Sequence, residues 1–396
     1  MRITLVSAFD PNPAPASEDA GSGHVGGVER VFCKISQALA RRGHDVTLVC
    51  STHGSGGSTK EEGVRIVREP RHTTILRAPL APLSRHIPPE SDVVHVAATY
   101  PFTTPAVLRR AHELGIPSVL DFHFEPDPGT AVGRLAANVY QRVAPPVYNL
   151  ASSVLVRSIA YGRSAASLDG IPEGQWRVVP NGVDPSRFRP LGQRAQGDYL
   201  LFVGRLIPYK GLDVLMHALA RAPPGIPLLI VGDGPLRSHL QALAERLAVD
   251  VRFLGHVPDG DLPALYAGAC LTVLPSVTRQ ECFGISLLES MACGTPVVAS
   301  DLPGVAELAR LGGLVAKVGD AQDLSAQIKR ALQPGLLRRG PALASPIHQE
   351  FSWDAVTDRL EAVYKEVVGK NRAPLLVHSP GVRSVADPGG HPLLQP

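Results

Sequence analysis

At 396 residues the chain exceeds the roughly 250–300 at which a single hydrophobic core stops growing, so two domains are expected. Its 44 % hydrophobic and 19 % charged residues are ordinary for a soluble globular protein, and a net charge of +3 is too small to argue for nucleic acid. No apolar run approaches the ~20 residues of a membrane span, and no secretory cleavage pattern follows the apolar start, so a cytoplasmic protein is expected.

Taken in chain order, short β-branched runs alternate with longer helical patterns, which predicts an α/β protein with parallel sheets. Ile3–Ala8 reads as a strand, Val28–Arg42 as a helix stopped by Gly43, and Val46–Cys50, Val93–Val96, Ser118–Phe122, Ser153–Val156 and Trp176–Val179 as further strands. The stretch from Glu69 to Pro89 has no clear period and reads as loop with an irregular helix. Pro180-Asn-Gly-Val-Asp184 is turn chemistry, and the proline-broken Pro185–Gly197 reads as a linker. A second series follows. Tyr199–Val203, Pro227–Val231, Val251–Leu254, Leu271–Leu274 and Val297–Ser300 are its strands, and Leu212–Arg221, Leu236–Leu247, Leu262–Ala267 and Ile285–Cys293 its helices. Trp353–Val368 has helical spacing, and the proline- and glycine-bearing tail after about residue 370 reads as disordered. The five cysteines, Cys33, Cys50, Cys270, Cys282 and Cys293, form no CxxC pair and read as reduced thiols.

The segment Glu281-Cys-Phe-Gly-Ile-Ser-Leu-Leu-Glu289 carries the strongest chemical signal. It sets one carboxylate just before a helix start and another about one turn inside. A helix start offers free N–H groups and a positive dipole end, a seat for phosphate, while the two carboxylates can accept hydrogen bonds from sugar hydroxyls. That combination suits a nucleotide-sugar. Arg205 and Lys210 lie on the loop after the strand Tyr199–Val203, where open α/β sheets bind ligands, and can clamp a diphosphate; the plainer reading is two solvated charges. Asp213 is placed to cap the helix that follows.

Four other features weigh less. Gly21, Gly23 and Gly26 spell G-x-G-x-x-G, but a proline-rich loop separates them from their strand and no acidic residue closes the next strand, which argues against a nicotinamide or flavin site. What survives is Gly26-Gly27 at a helix start, either a close approach for phosphate or sugar or a flexible loop. Asp259-Gly-Asp261 is a D-x-D string that helix capping by Asp261, with Pro263 in the first turn, explains without metal. His123, near Asp121 and Glu125 at a strand end, can hydrogen-bond a sugar hydroxyl or be a loop histidine with no task, whereas His95 reads as structural. Arg68, Arg71, Arg77, Arg85, Arg109 and Arg110 read as solvated arginines or as a contact for an anionic membrane surface or acceptor.

Five motifs occur in one order: Pro-Asn-Gly-Val-Asp at 180–184, Val-Gly-Arg…Lys-Gly-Leu-Asp at 203–213, Val-Gly-Asp-Gly-Pro at 231–235, Phe-Leu-Gly-His-Val at 253–257, and the E-x7-E segment running into Met-Ala-Cys-Gly-Thr-Pro-Val-Val-Ala. With Gly-Gly-Val-Glu-Arg at 26–30, they make residues 1 to about 368 resemble the family 4 retaining glycosyltransferases. The resemblance implies GT-B architecture: two Rossmann-like domains facing each other across a cleft, with 1–185 binding acceptor, 186–348 binding nucleotide-sugar and 349–370 crossing back to the first domain. It implies that Arg205 and Lys210 hold the donor diphosphate, with Gly26 and Gly27 approaching from the other domain. Glu289 would bind the ribose, Val257 would lie by the base, and Glu281 with Phe283, Gly284 and Ile285 would grip the sugar. His123 would sit near the reacting face. The implied activity is transfer of a hexose from GDP-mannose or a UDP-sugar to a glycan or lipid-linked acceptor. No metal or other cofactor is implied, and the protein could sit peripherally on the inner face of the cell membrane. An epimerase of the same fold, or a non-catalytic nucleotide-sugar binder, are the alternatives. Cys282, Ser290 and the surroundings of His123 depart from the family's usual pattern.

Overall fold

The structure, a computed structural model, describes residues 1–10, 27–52, 54–75, 78–98, 102–123, 131–191, 198–221 and 225–372. Gly26, Glu125, Arg77 and the tail after residue 372 lie outside the described residues.

The first lobe runs β1 (Arg2–Phe9), α1 (Gly27–Arg41), β2 (Asp45–Thr52), β3 (Gly57–Glu61), β4 (Val64–Pro70), β5 (Thr73–Ile75), β6 (Ala78–Leu80), β7 (Val93–Ala97), α2 (Thr103–Glu113), β8 (Ser118–Asp121), α3 (Ala131–Tyr148), β9 (Ser153–Val156), α4 (Ile159–Ser164) and β10 (Trp176–Val178). Its sheet has the order β10-β9-β8-β7-β1-β2-β4-β3, parallel except for β3, which returns antiparallel to β4. The loop expected from Glu69 to Pro89 instead holds the end of β4, the small β5–β6 hairpin and a 3-10 turn at Leu83–His86. Helix α1 forms because Val31, Phe32, Ile35 and Leu39 recur on one face and bury against β1 and β2 beside Leu5 and Leu48.

The second lobe runs β11 (Leu200–Val203), α5 (Leu212–Leu219), β12 (Leu228–Val231), α6 (Arg237–Leu247), β13 (Val251–Gly255), α7 (Leu262–Gly268), β14 (Leu271–Leu274), α8 (Ile285–Ala292), β15 (Val297–Ser300), α9 (Val305–Ala309), β16 (Gly313–Ala316), α10 (Ala321–Ala331) and α11 (Pro341–Phe351). Its sheet is parallel throughout, in the order β13-β12-β11-β14-β15-β16. The central strands Leu271–Leu274 and Val297–Ser300 are buried along their whole length, as expected for strands covered by helices on both faces.

Helix α12 (Trp353–Arg372) leaves the second lobe and packs Val356, Leu360, Val363, Tyr364 and Val367 into the first lobe's core with Ile3, Leu5 and Val93. Val183 bonds both sides of its start, donating to Phe351 O at 2.7 Å and accepting from Trp353 N at 3.2 Å. The turn before it needs glycine at 182, since a Cβ there would fall 2.5 Å from Trp353 Cδ2. Arg42 reaches Asp358 at 2.6 Å, and Arg177 grips both carboxylate oxygens of Glu366. Among the described residues no helix is long and apolar enough to cross a membrane.

Each sheet reverses its winding once. In the first, β1, β2 and β4 extend one way and β7 starts the other; in the second, β11, β12 and β13 extend one way and β14 starts the other. Ligands of open α/β sheets sit outside the carboxyl ends of strands at such points. In the second lobe the loops beside that point are the one after β11, bearing Arg205 and Lys210, and the one after β14, bearing Glu281 and Gly284.

Candidate active site

Lys210 and Glu281, 71 residues apart in the chain, meet at 2.5 Å between Nζ and Oε2. Ser276 Oγ donates to the same carboxylate oxygen at 3.2 Å. Burial alone would lower the Lys210 pKa, but the Glu281 carboxylate outweighs it and holds the ammonium above its ordinary value. An ammonium has three donors, so Lys210 keeps two for another anion. The loop is held by Gly211, which takes φ +67° and lies so close to the β14 loop that a Cβ would sit 2.1 Å from Pro275 O. Gly211, not Asp213, is the cap residue of α5; Asp213 falls inside the first turn and pairs with His239 at 3.2 Å.

The Arg205 side chain is exposed and, among the described residues, makes no hydrogen bond or ion pair, while its backbone carbonyl accepts from Ile207 N at 3.1 Å. Its charge acts on Lys210 of its own loop and, across the cleft, on Glu29 in the first turn of α1. Burial pushes the Glu29 carboxyl up, against the pull of its own backbone N–H and of Arg205. The cleft is therefore crossed by an electrostatic pair between lobes.

Gly284 caps α8 with φ +84°, and a Cβ there would lie 2.9 Å from Leu287 Cδ1. Among the described residues, the N–H groups of Gly284, Ile285 and Ser286 donate to no backbone carbonyl. They are the free donors of a helix start. Phe283 is buried in the second lobe's core, while Ile285 packs against both lobes. Gly27, the first residue of α1, faces it: a Cβ there would lie 3.6 Å from Ile285 Cδ1. The starts of α1 and α8 thus face each other across the cleft.

Glu289 lies on the second turn of α8 and accepts from Tyr266 OH at 2.8 Å. Burial pushes its carboxyl up to about 7, although the Tyr266 hydrogen bond and the charges of Arg187 and Arg30 pull the other way. Asp259 of the D-x-D string sits nearby. It lies 3.6 Å from Arg30 of the first lobe and 3.8 Å from Arg187, and its carbonyl accepts from Arg187. Asp261 occupies the cap position of α7 with Pro263 in the first turn, but its side chain makes no cap bond, so the capping expected of it is absent. Val257, on the loop after β13, is half-buried against the second lobe's core.

His123 follows β8 and is only 3 % exposed. Its Nε2 lies 3.1 Å from Asp121 Oδ2, and Arg157 Nη2 lies 3.2 Å from both ring nitrogens. The same Arg157 nitrogen donates to Asp121 Oδ1. His95 joins from β7, 3.3 Å from Asp121 Oδ2, and pairs with Tyr364 OH of α12 at 2.6 Å. His95 is wholly buried.

The structure therefore gathers Arg205, Lys210, Glu281, Phe283, Gly284, Ile285 and Gly27 around one cleft, with Glu289 one turn along the same helix. It sets His123 within the first-lobe wall, facing its own carboxylate and guanidinium. Sequence reasoning missed Glu29, Arg157, Tyr266 and Ser276. Glu29 had a local signal, an acidic residue in the first turn of a helix that opens on a glycine motif; the others gain meaning only through contacts distant in sequence.

Residues 25–187 match the family model described as Glycosyltransferase Family 4, and residues 184–340 the one described as Glycosyl transferases group 1. A D-inositol 3-phosphate glycosyltransferase of Acidothermus cellulolyticus is 29 % identical over 90 % of this chain and 89 % of its own. A phosphatidyl-myo-inositol mannosyltransferase of Mycobacterium tuberculosis is 30 % identical over 87 % of this chain and 94 % of its own. Among solved structures, sucrose-phosphate synthase from Thermosynechococcus elongatus matches with a TM-score of 0.70 at 22 % identity, covering 93 % of this chain and 100 % of that chain. Anabaena HepE, solved in complex with UDP and glucose, matches with a TM-score of 0.68 at 20 % identity, covering 92 % and 100 %. Two parallel-sheet lobes with these likenesses make the fold GT-B, and the chain belongs to the family 4 glycosyltransferases as a hexosyltransferase.

Proposed function

We propose that the protein moves a hexose from a nucleoside-diphosphate sugar to a glycan or lipid-linked acceptor, with retention of the anomeric configuration and without a metal ion. The observation that carries this reading is the meeting of Lys210, Glu281 and the free start of α8 at the second lobe's switch point, with Arg205 beside them. For the donor, the mannosyltransferase among the relatives speaks for mannose and hence GDP-mannose, and the UDP-bound Anabaena structure speaks for a UDP-sugar. For the acceptor, both inositol-named relatives favour a polyol, free or lipid-linked. A lipid-linked acceptor would bring the protein to a membrane surface peripherally.

Charge dictates the mechanism. As the bond from the anomeric carbon to the diphosphate oxygen breaks, negative charge collects on the leaving group and positive charge on the ring. Lys210, Arg205 and the N–H groups of α8 lie where they stabilise the leaving anion, the work a metal ion would otherwise do. Glu281 sets Lys210 in place and would accept hydrogen bonds from the sugar's hydroxyls. The acceptor oxygen bonds to the anomeric carbon on the face the diphosphate leaves, and its proton passes to a diphosphate oxygen; retention follows. Asp259 is already engaged by Arg30 and Arg187, which favours an inter-lobe tie over a metal ligand for the D-x-D string.

Calorimetry against a panel of nucleoside diphosphates and nucleotide-sugars, followed by turnover with and without acceptors, tests the reading. Binding of one nucleotide-sugar with acceptor-dependent release of its diphosphate is expected. Free sugar released equally without acceptor would favour an epimerase, and binding without turnover a sensor.

A further inference from the structure

The strongest unexplained feature is a pair of opposite charges sealed in the first lobe. Asp121 and His95 are fully buried, and Arg157 and His123 are each 3 % exposed. Burying two such charges costs several kcal/mol, and an ion pair in that setting is weak evidence for stability. The pair touches His123 from two sides. Arg157 Nη2 donates to Asp121 Oδ1 and lies 3.2 Å from both imidazole nitrogens, while Asp121 Oδ2 lies 3.1 Å from Nε2. Arg157 Nη1 donates to Val179 O at 2.5 Å, just before the turn that joins the lobes. On the far side Phe32 of α1 covers both imidazoles, with ring centroids 5.0 Å from His95 and 5.8 Å from His123. His95 passes the contact to Tyr364 of α12.

We propose that Asp121 and Arg157 are positioning residues for His123, clamping its ring in the first-lobe wall of the sugar site, and that Tyr364 extends the clamp into the crossover helix. The proposal rests on the glycosyl-transfer reading. Arginine has donors only and a carboxylate acceptors only, so Nε2, which faces Asp121, carries the proton and Nδ1 is left to accept from Arg157. Burial and the Arg157 charge both push His123 down, and Asp121 alone among the groups facing it pulls strongly the other way; His95 adds a further downward push. The ring is therefore neutral, and its orientation is decided by which nitrogen each partner claims. The clamp adjoins the site because Cys282, next to Glu281, packs on the first-lobe core that holds Phe122 and Val156, the chain neighbours of His123 and Arg157, and feels the Arg157 charge.

Four variants test it: Asp121→Asn, Arg157→Met, the two combined, and Tyr364→Phe. Each is read by thermal melting, nucleotide-sugar affinity, kcat and KM across about pH 6–9, and nitrogen-15 NMR of the histidines. The double variant removes both buried charges, so it should fold and bind donor within about threefold of wild type. Its kcat should nevertheless fall roughly 100-fold, the scale of a misplaced reacting group. Arg157→Met leaves His123 beside a lone carboxylate; its imidazole should titrate in the NMR, and its kcat should recover as pH rises. In wild type, and in Asp121→Asn, the His123 ring should be less protonated than in Arg157→Met at each pH. Tyr364→Phe should lower kcat about fivefold with KM unchanged. A folded double variant with wild-type kcat, or an Arg157→Met protein whose His123 does not titrate, overturns the clamp; wild-type kcat in Tyr364→Phe removes α12 from it. Absence of any turnover in wild type strikes the glycosyl-transfer reading instead, because the NMR result reports ring placement without it.

Discussion

Glu289 gives the sharpest quantitative test. If it binds the ribose hydroxyls through both carboxylate oxygens it must be ionised, yet burial pushes its carboxyl from 4.5 up to about 7, against the pull of the Tyr266 hydrogen bond. Donor affinity should therefore rise with pH and level off above about 7. Below that, each pH unit should weaken binding about tenfold, so affinity near pH 5.5 should be roughly 30-fold lower than at pH 8.5. The fold should show the opposite trend. A carboxyl raised in the folded state favours folding fully below its unfolded pKa, and that contribution is lost as pH rises through 4.5 to about 7. At 1.36 kcal/mol per pH unit the rise is worth at most about 3 kcal/mol, less because the side chain is only partly buried. The assay is calorimetry with an intact nucleotide-sugar, whose diphosphate does not titrate in this range, in two buffers of different ionisation enthalpy. Near pH 7 binding should release about half a proton, and Glu289→Gln should bind more weakly at pH 8.5 with no pH trend. A wild-type affinity that is flat from pH 5.5 to 8.5 would refute the ribose role.

Three further outcomes are expected. Lys210→Ala should abolish turnover; it also leaves Glu281 with Ser276 as its remaining partner, so the melt should fall by up to about 3 kcal/mol, and adding Glu281→Gln should restore stability without restoring activity. Wild-type rates in Lys210→Ala would remove it from the diphosphate. Gly211→Ala forces a Cβ to within 2.1 Å of Pro275 O at φ +67°, so it should destabilise the fold by at least about 2 kcal/mol and raise the donor KM by displacing Lys210; an unchanged melt would contradict the packing. Saturating chelator should leave turnover unchanged, because fixed cations stabilise the leaving diphosphate; strict dependence on added divalent metal would return Asp259 and Asp261 to the site.

The second lobe was legible as far as Ser300 because its strands are short apolar runs closed by turn residues, whereas the strand Gly313–Ala316 and the helices from Val305 to Phe351 were not. Leu271–Leu274 and Val297–Ser300 carry the same bounds in the sequence reading and in the fold. Elements that break those rules were not legible. Strand β3, Gly-Ser-Thr-Lys-Glu, is an edge strand without an apolar face, and only its pairing with β4 makes it a strand. Helices α3 and α11 carry internal prolines, Pro145 and Pro146 in one and Pro346 in the other, which mask helical spacing that tertiary packing restores. At the site, the helix start at Gly284 and the two carboxylates around it were local signals. The Lys210–Glu281 partnership was not, because its members belong to different loops that meet only where the sheet reverses. His95 and Tyr364 lie 269 residues apart, and nothing in either neighbourhood announces the other.

That last contact links the fold to the proposed chemistry. Helix α12 leaves the second lobe and is buried in the first, and its Tyr364 lies at the end of a chain of contacts leading through His95 and Asp121 to His123. The donor groups belong to the second lobe and His123 to the first, so the two halves of the site must be brought into register. The turn at Gly182 and Val183 does this at one end, through its bonds to Phe351 and Trp353, and Arg157 grips Val179 just upstream. At the other end Arg30 meets Asp259 beside Glu289, and Gly27 meets Ile285 at the start of α8. These ties are unequal. The Arg30–Asp259 pair is solvent-exposed and worth at most about 1 kcal/mol, whereas α12 buries five large side chains at roughly 1.5–3 kcal/mol each. Relative motion of the lobes should therefore break the exposed pair first and pivot about the turn at 180–183, leaving the α12 contact with His95 intact. Closure over a donor would then move the α8 start toward a first-lobe wall whose histidine is already set.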